Sequence, residues 1–307
     1  MEVYRIGVLL KEYRTRKGIS QEELSFDLCA VSTLSRIESG LQIPGRRLIM
    51  TLFSRMGMVV PISDIPMTKT DFIRSNLEYE INDRLATGKD DIHDLLEEYK
   101  TCGKDMDVLE EQFYLLFSGI YDGRTDSRVS TQDILEKFLK ALALTVKNYS
   151  IEKNPPHKYL SKIELLLLNN IARTLYDLHR TEDAINLMEF LRSYFESGLI
   201  CEEEKSKNYP VILFNLENWY SDKENGERVL ELSKKGIETC IKYGKLTQFP
   251  YHIFNKGYAL SLLGKTDEGK KVIEDSFVIF RNMNLNQNIE VAIPELKEKF
   301  GFEFKNI

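Results

Sequence analysis

The chain is predicted to be all-α: a short N-terminal helical bundle followed by a long right-handed solenoid of stacked helix pairs. Three observations carry this reading. Apolar residues recur at helical spacing almost end to end, and the short apolar runs Val59-Val60 and Val211–Phe214 fit helix ends better than strands. Gly57, Pro61 and Pro66 interrupt the pattern around Met58–Thr68, which divides residues 1–65 from residues 66–307. Beyond that break, three helix pairs repeat one another, several with a small residue at the matching position.

The N-terminal elements follow in order. Ile6–Lys17 places Ile6, Leu9, Leu10 and Tyr13 on one face, and Gly18 stops it. Ser20-Gln21-Glu22-Glu23 has the form of a capping box and opens a second helix burying Leu24 and Leu28. After a turn at Cys29-Ala30, Val31–Ser39 forms a third helix with Leu34 and Ile37 inward, ended by Gly40. Arg47–Met56 makes a fourth, burying Leu48, Leu52, Phe53 and Met56.

The body reads as pairs. Phe72–Ala86 and Ile92–Cys102 join at Thr87-Gly88-Lys89. Val108–Tyr121 and Gln132–Val146 are separated by a polar loop with Gly123 and Asp126, and Asn154-Pro155-Pro156 then breaks the chain. The three repeated pairs are Glu164–Leu178 with Glu182–Phe195, Val211–Tyr220 with Glu227–Tyr243, and Tyr251–Leu263 with Asp267–Met283. Aligning Ala172 with Glu217 and Gly257, and Ala184 with Val229 and Gly269, gives periods of 45 and 40 residues. Small residues let paired helices approach closely, and a pair that cannot bury its apolar face alone must stack on the next. The pattern resembles tetratricopeptide repeats with extended loops; Glu217 breaks the small-residue signature.

Composition excludes several classes. With 42% hydrophobic and 29% charged residues in 307, the chain is globular. Ile163–Leu168, apolar apart from Glu164, is among the longest such runs and falls far short of a membrane span, and Met1–Leu10 lacks the form of a signal peptide, so a cytoplasmic protein is expected. Cys29, Cys102, Cys201 and Cys240 form no CxxC pair, and His93, His157, His179 and His252 stand at no metal-ligand spacing; all eight read as structural or incidental, with no metal and no cofactor expected. Gly264-Lys265-Thr266 resembles the end of a phosphate loop, but the required upstream glycine is Ala259 and the segment is a helix–helix turn. No GxSxG, HExxH or dinucleotide motif appears, so no catalysis is expected. The net charge of −6 is unevenly spread: residues 1–65 carry nine Lys/Arg against seven Asp/Glu, leaving −8 on the rest.

Lys17-Gly18-Ile19-Ser20-Gln21-Glu22-Glu23-Leu24 and Ser32-Thr33-Leu34-Ser35-Arg36-Ile37-Glu38-Ser39-Gly40 resemble the helix-turn-helix of phage-repressor-like, Xre-type regulators. The turn between the second and third helices is one residue shorter than the commonest form. A recognition helix in the major groove needs outward polar or basic side chains. With Leu34 and Ile37 inward, Ser32, Thr33, Ser35 and Arg36 face out; Ser32 or Thr33 can equally cap the helix. Arg36 is the candidate for a guanine edge or a phosphate. The resemblance implies that Gln21 clamps a phosphate and that Arg14 and Glu38 form an interhelical ion pair. Arg46 and Arg47 follow the third helix and suit the neighbouring DNA backbone.

A head of this kind on an acidic, repeat-built body resembles the peptide-pheromone-responsive RRNPP regulators of Gram-positive bacteria, which include the Rgg and PlcR kinds. The resemblance implies a short signalling peptide in the concave groove, quorum sensing, and a homodimer on palindromic double-stranded DNA. Residues flanking each small position on the first helix of a pair then face the groove: Asn169, Arg173 and Tyr176, then Phe214 and Asn218, then Tyr251, Phe254 and Tyr258. Amides can hold both peptide N–H and C=O, aromatics form side-chain pockets, and Arg173 can pair with a carboxylate. The alternative occupant of the repeats is a protein partner rather than a peptide.

Overall fold

A computed structural model describes residues 2–59, 67–103, 105–125, 128–155 and 158–304. Val60, Pro61, Pro66, Asp126, Pro156 and His157, on which some expectations rested, lie outside the described residues. Among those described there is no strand, and the order is α1 (Glu2–Arg16), α2 (Gln21–Ser25), α3 (Val31–Glu38), α4 (Arg46–Arg55), α5 (Lys69–Ala86), α6 (His93–Thr101), α7 (Val108–Thr125), α8 (Thr131–Ala143), α9 (Lys162–Asp177), α10 (Thr181–Glu196), α11 (Glu202–Asp222), α12 (Gly226–Tyr243), α13 (Phe249–Leu262), α14 (Thr266–Asn282) and α15 (Asn286–Phe300). The architecture is a helix-turn-helix head followed by tetratricopeptide-like helical repeats. It forms two compact units, Met1–Cys201 and Glu202–Ile307.

In the first unit, Ile6, Leu10, Leu24, Leu34, Ile37, Ile49, Leu52 and Phe53 make the core of the head. Ser20 caps α2 with the reciprocal Ser20–Glu23 box that the sequence announces. α2 is shorter than expected, ending at Ser25, and the chain then turns through Asp27 at φ 56°. The head is tied to the helices beyond it. α4 packs on α7 and α9, and Tyr159 and Leu199 join the core of the head. The Cβ of any larger residue at Gly57 would meet the backbone of Leu199, so the chain passes that close only at a glycine.

In the second unit, α11 packs on α12, α12 on α13, α13 on α14 and α14 on α15. Two departures from the expected elements stand out. α11 begins at Glu202 and runs through Pro210, more than two turns earlier than the apolar run at Val211 indicated. α15 was not anticipated; it buries Ile289 and Leu296 beside Tyr258, Phe277 and Phe280. The expected close approach of α13 and α14 is present: a Cβ at Gly257 would meet the Gly269 carbonyl, and one at Gly269 the Gly257 carbonyl. No described helix is long and apolar enough to cross a membrane.

Candidate nucleic-acid and ligand sites

The head presents α3. Leu34 and Ile37 are fully buried, which turns Ser32 and Arg36 outward and leaves Thr33 and Ser35 half-exposed. The N-cap of α3 is Ala30 and makes no side-chain cap, so neither Ser32 nor Thr33 is used as one. Behind the helix, Glu38 is 3% exposed and accepts a bidentate pair from Arg14, Nε to Oε1 at 2.6 Å and Nη2 to Oε2 at 2.8 Å. That is the interhelical ion pair implied by the motif. Arg14 also donates to the Ile19 carbonyl, fixing the turn before α2, and Gln21 Nε2 donates to Glu38 Oε2 at 2.7 Å. Half-buried Gln21 is thus held by the same carboxylate that anchors α3.

Arg46 and Arg47 require a correction. Both are buried, at 2% and 8% exposure, where the sequence reading had them on the DNA backbone. Arg46 Nη2 lies 2.5 Å from Glu78 Oε1, and Arg47 pairs with the same carboxylate on α5. Tyr99 donates to Glu78 at 3.0 Å, and the Arg47 guanidinium lies 4.3 Å from the centre of the Phe113 ring. Burial pushes the Tyr99 phenol well above its usual range, so it stays a donor. Residues of α5, α6 and α7, namely Glu78, Tyr99 and Phe113, thus take the place of DNA as partners of these cations. Sequence position alone placed them beside the recognition helix but could not show what covers them.

Other cations also join the head to its surroundings. Arg55 at the end of α4 and Glu164 on α9 are both sealed from solvent, with Nη2 to Oε1 at 2.6 Å. Arg55 also donates to the Phe26 and Thr145 carbonyls, at 2.6 and 3.2 Å. Arg74 and Glu110 form a further buried pair between α5 and α7 at 2.5 Å. Such pairs cost desolvation and tolerate little displacement, so they fix one geometry more than they add stability.

The groove residues fall into two sets, one in each compact unit. In the first unit, Asn169 is half-buried and its Oδ1 has no hydrogen-bond partner among the described residues; Arg173 is exposed and Tyr176 half-buried on the same helix. Burial raises the Asp177 carboxyl, and the charge of Arg173 opposes that rise.

The second unit holds a cavity of about 390 Å³, lined by Phe214, Asn218, Tyr251, Phe254 and Asn255 together with Phe280 and a face of α15 that includes Asn288, Val291 and Glu295. Four of the five residues expected here line it. Tyr258 is the correction: its ring is 6% exposed within the α13–α15 core, and only its hydroxyl extends outward, to Glu295 Oε1 at 2.8 Å. The α15 wall was missed, although Ile289, Ala292, Ile293 and Leu296 follow a helical stripe that could have revealed it.

Beneath this cavity lies the reason Glu217 stands where a small residue was expected. Its carboxylate is fully buried, with Oε1 at 2.7 Å from His252 Nδ1 and Oε2 accepting from Asn255 Nδ2 at 2.9 Å. Gly236 on α12 makes room, since a Cβ there would overlap the imidazole. Burial alone would lower the His252 ring; the Glu217 carboxylate and the Cys240 side chain outweigh it and lift the ring to about 9. Burial likewise raises the Glu217 carboxyl, and His252 and Asn255 oppose that rise. Oε1 faces His252, and Asn255 turns its NH2 toward Oε2. The same NH2 reaches Asn218 Oδ1 at 3.2 Å, which fixes the second amide in turn. Asn255 Oδ1 and Asn218 Nδ2 are the atoms left for an occupant. Among the described residues no cluster of His, Cys, Asp or Glu could hold a metal ion.

Residues 10–57 match the helix-turn-helix family HTH_3. No curated protein matches the chain. Among solved structures the fold is similar to that of Bacillus thuringiensis PlcR in complex with the peptide PapR7 and DNA, at 17% identity over 94% of this chain and 98% of that one, with a TM-score of 0.57. It is similar also to PlcR in its apo form, at 15% identity over 95% and 99% of the two chains, with a TM-score of 0.56.

Proposed function

We propose that this helix-turn-helix protein is a transcriptional regulator of the RRNPP kind, in which residues 1–65 bind DNA and residues 66–307 sense a short signalling peptide. The observation that carries the reading is the pairing of two features in one chain. An outward recognition helix with Ser32, Thr33, Ser35 and Arg36 is one. A cavity walled by Phe214, Tyr251, Phe254 and Phe280, with two oriented amides at its edge, is the other. Aromatic walls supply apolar pockets for side chains, and amides with one acceptor and one donor free match the polarity of a peptide bond. Asn169, with its unpartnered Oδ1, and the exposed Arg173 are the candidates in the first unit, with Tyr176 beside them.

On DNA, Arg36 is the base or phosphate contact and Gln21 supports the recognition helix through Glu38. A homodimer on a palindromic operator, acting in the cytoplasm in response to cell density, completes the proposal. A peptide shifts DNA binding only to the extent that it binds one state of the repeats better than the other. The test is fluorescence anisotropy of purified protein on genomic fragments across a salt series, with and without synthetic peptides from neighbouring reading frames. A negative slope of log affinity against log salt, and a peptide-dependent shift of that curve, support the reading. Protein that ignores DNA at low salt overturns the first half, and peptides that neither bind nor shift the curve overturn the second. Binding of a folded protein partner by the repeats in place of peptides would favour the scaffold alternative.

A further inference from the structure

The cavity of the second unit has a definite electrostatic sign. Among its described lining residues, Glu295 is the only side chain with a full charge at neutral pH, and no Lys, Arg or His is present. Glu295 is exposed on α15 and uses Oε1 to accept from Tyr258. Lys299, one turn further along α15, does not line the cavity; its ammonium lies 3.0 Å from Glu224 and also reaches the Tyr258 hydroxyl, so it offsets part of the Glu295 charge from behind. Of the two fixed amides, Asn255 adds to the same sign, while Asn218 offers its NH2. Because Glu217 and Asn218 occupy the NH2 of Asn255, its carbonyl oxygen is the atom available to the cavity. The rings of Phe214, Tyr251 and Phe254 line the same cavity, and a cation that reaches the face of one of them gains a cation–π contact.

We infer that this cavity selects the cationic, apolar part of a peptide, a Lys or Arg side chain or a free amino terminus held against Glu295 and the Asn255 carbonyl, and rejects peptides that place a carboxylate there. The inference rests on the peptide-sensing reading above and assigns a charge class to its ligand. A carboxylate in the cavity would face Glu295 and the Asn255 oxygen, with only the neutral amide NH2 groups of Asn218, Gln287 and Asn288 to offset them. An ammonium or guanidinium meets the Glu295 and Asn255 acceptors in a cavity that is otherwise largely aromatic. A half-solvated ion pair together with one cation–π contact corresponds to a preference of about tenfold.

The experiment uses the full chain and two pooled libraries of synthetic random heptapeptides, one with Lys or Arg fixed at one position and one with Asp or Glu fixed there. Peptides retained by the protein are read by mass spectrometry. The basic pool is expected to be retained about tenfold over the acidic one. E295Q should level the two pools, and E295K should reverse the preference, with the fold of each variant checked by circular dichroism. N-acetylation of the libraries separates an amino terminus from a side chain as the cation. Retention without charge preference, or a preference unmoved by E295K, overturns the inference while leaving peptide sensing in place. Failure of the protein to retain either pool overturns peptide sensing itself, and this inference with it.

Discussion

Arg46 and Arg47 offer the sharpest test, because sequence and structure assign them opposite places. If they lie on the DNA backbone, replacing either weakens DNA binding and lowers the salt slope by about 0.9 per lost phosphate contact. If they lie in the cluster around Glu78, the effect falls on stability. Arg47→Met loses the ion pair, a 3.3 Å hydrogen bond to the Tyr99 hydroxyl and the Phe113 ring contact, but Glu78 keeps Arg46 and Tyr99. The expected cost is about 1–2 kcal/mol, since relief of repulsion between two neighbouring guanidiniums offsets part of the loss. Arg46→Met with Arg47→Met strands the buried carboxylate and should cost about 3–5 kcal/mol, more than the two single changes together. Adding Glu78→Leu to that double variant removes the stranded charge and should recover much of the loss. The single tryptophan, Trp219, lies in the second unit and reports the wrong part of the chain. Hydrogen exchange of α4 and α5 under increasing urea reads the right one. The reasoning is refuted if Arg47→Met leaves exchange unchanged and reduces the DNA salt slope by about one.

The other expectations concern the recognition helix, the Arg55 cluster and the buried histidine. Arg36→Ala should lower operator affinity about 5- to 100-fold by anisotropy with no change in melting temperature, since the side chain is exposed and supports no core. Arg55→Met and Glu164→Leu should each destabilise the first unit by about 3–5 kcal/mol in urea titrations, and the double variant by clearly less than their sum; full additivity would mean the two charges are not coupled. Because folding raises His252 from 6.5 to about 9, its contribution is fully present below pH 6.5 and is lost as pH rises through 9. Trp219 fluorescence should therefore report a second unit weakened by at most about 3 kcal/mol over that window, and His252→Gln should flatten the dependence. A flat pH profile in the unaltered protein would contradict the ion pair with Glu217.

The apolar spacing within the sequence determined that the chain is helical, where most helices begin and end, and which side of α3 faces out. These are local properties: Leu34 and Ile37 three apart on one helix must point the same way, and Ser20 with Glu23 closes its box within four residues. Arg14 with Glu38 was also legible, because a recognisable motif fixes which two helices meet. Tertiary structure alone decided the fate of the polar residues. Arg46 and Arg47 look like surface cations until α5 supplies Glu78, and Glu217 looks like a broken repeat until α13 brings His252 and Asn255 against it. Whether a charge is solvated or buried depends on the partner that arrives from 32 or 35 residues away. Periodicity along one helix carries no record of that partner, because the electrostatic cost of burial is met by a group on another.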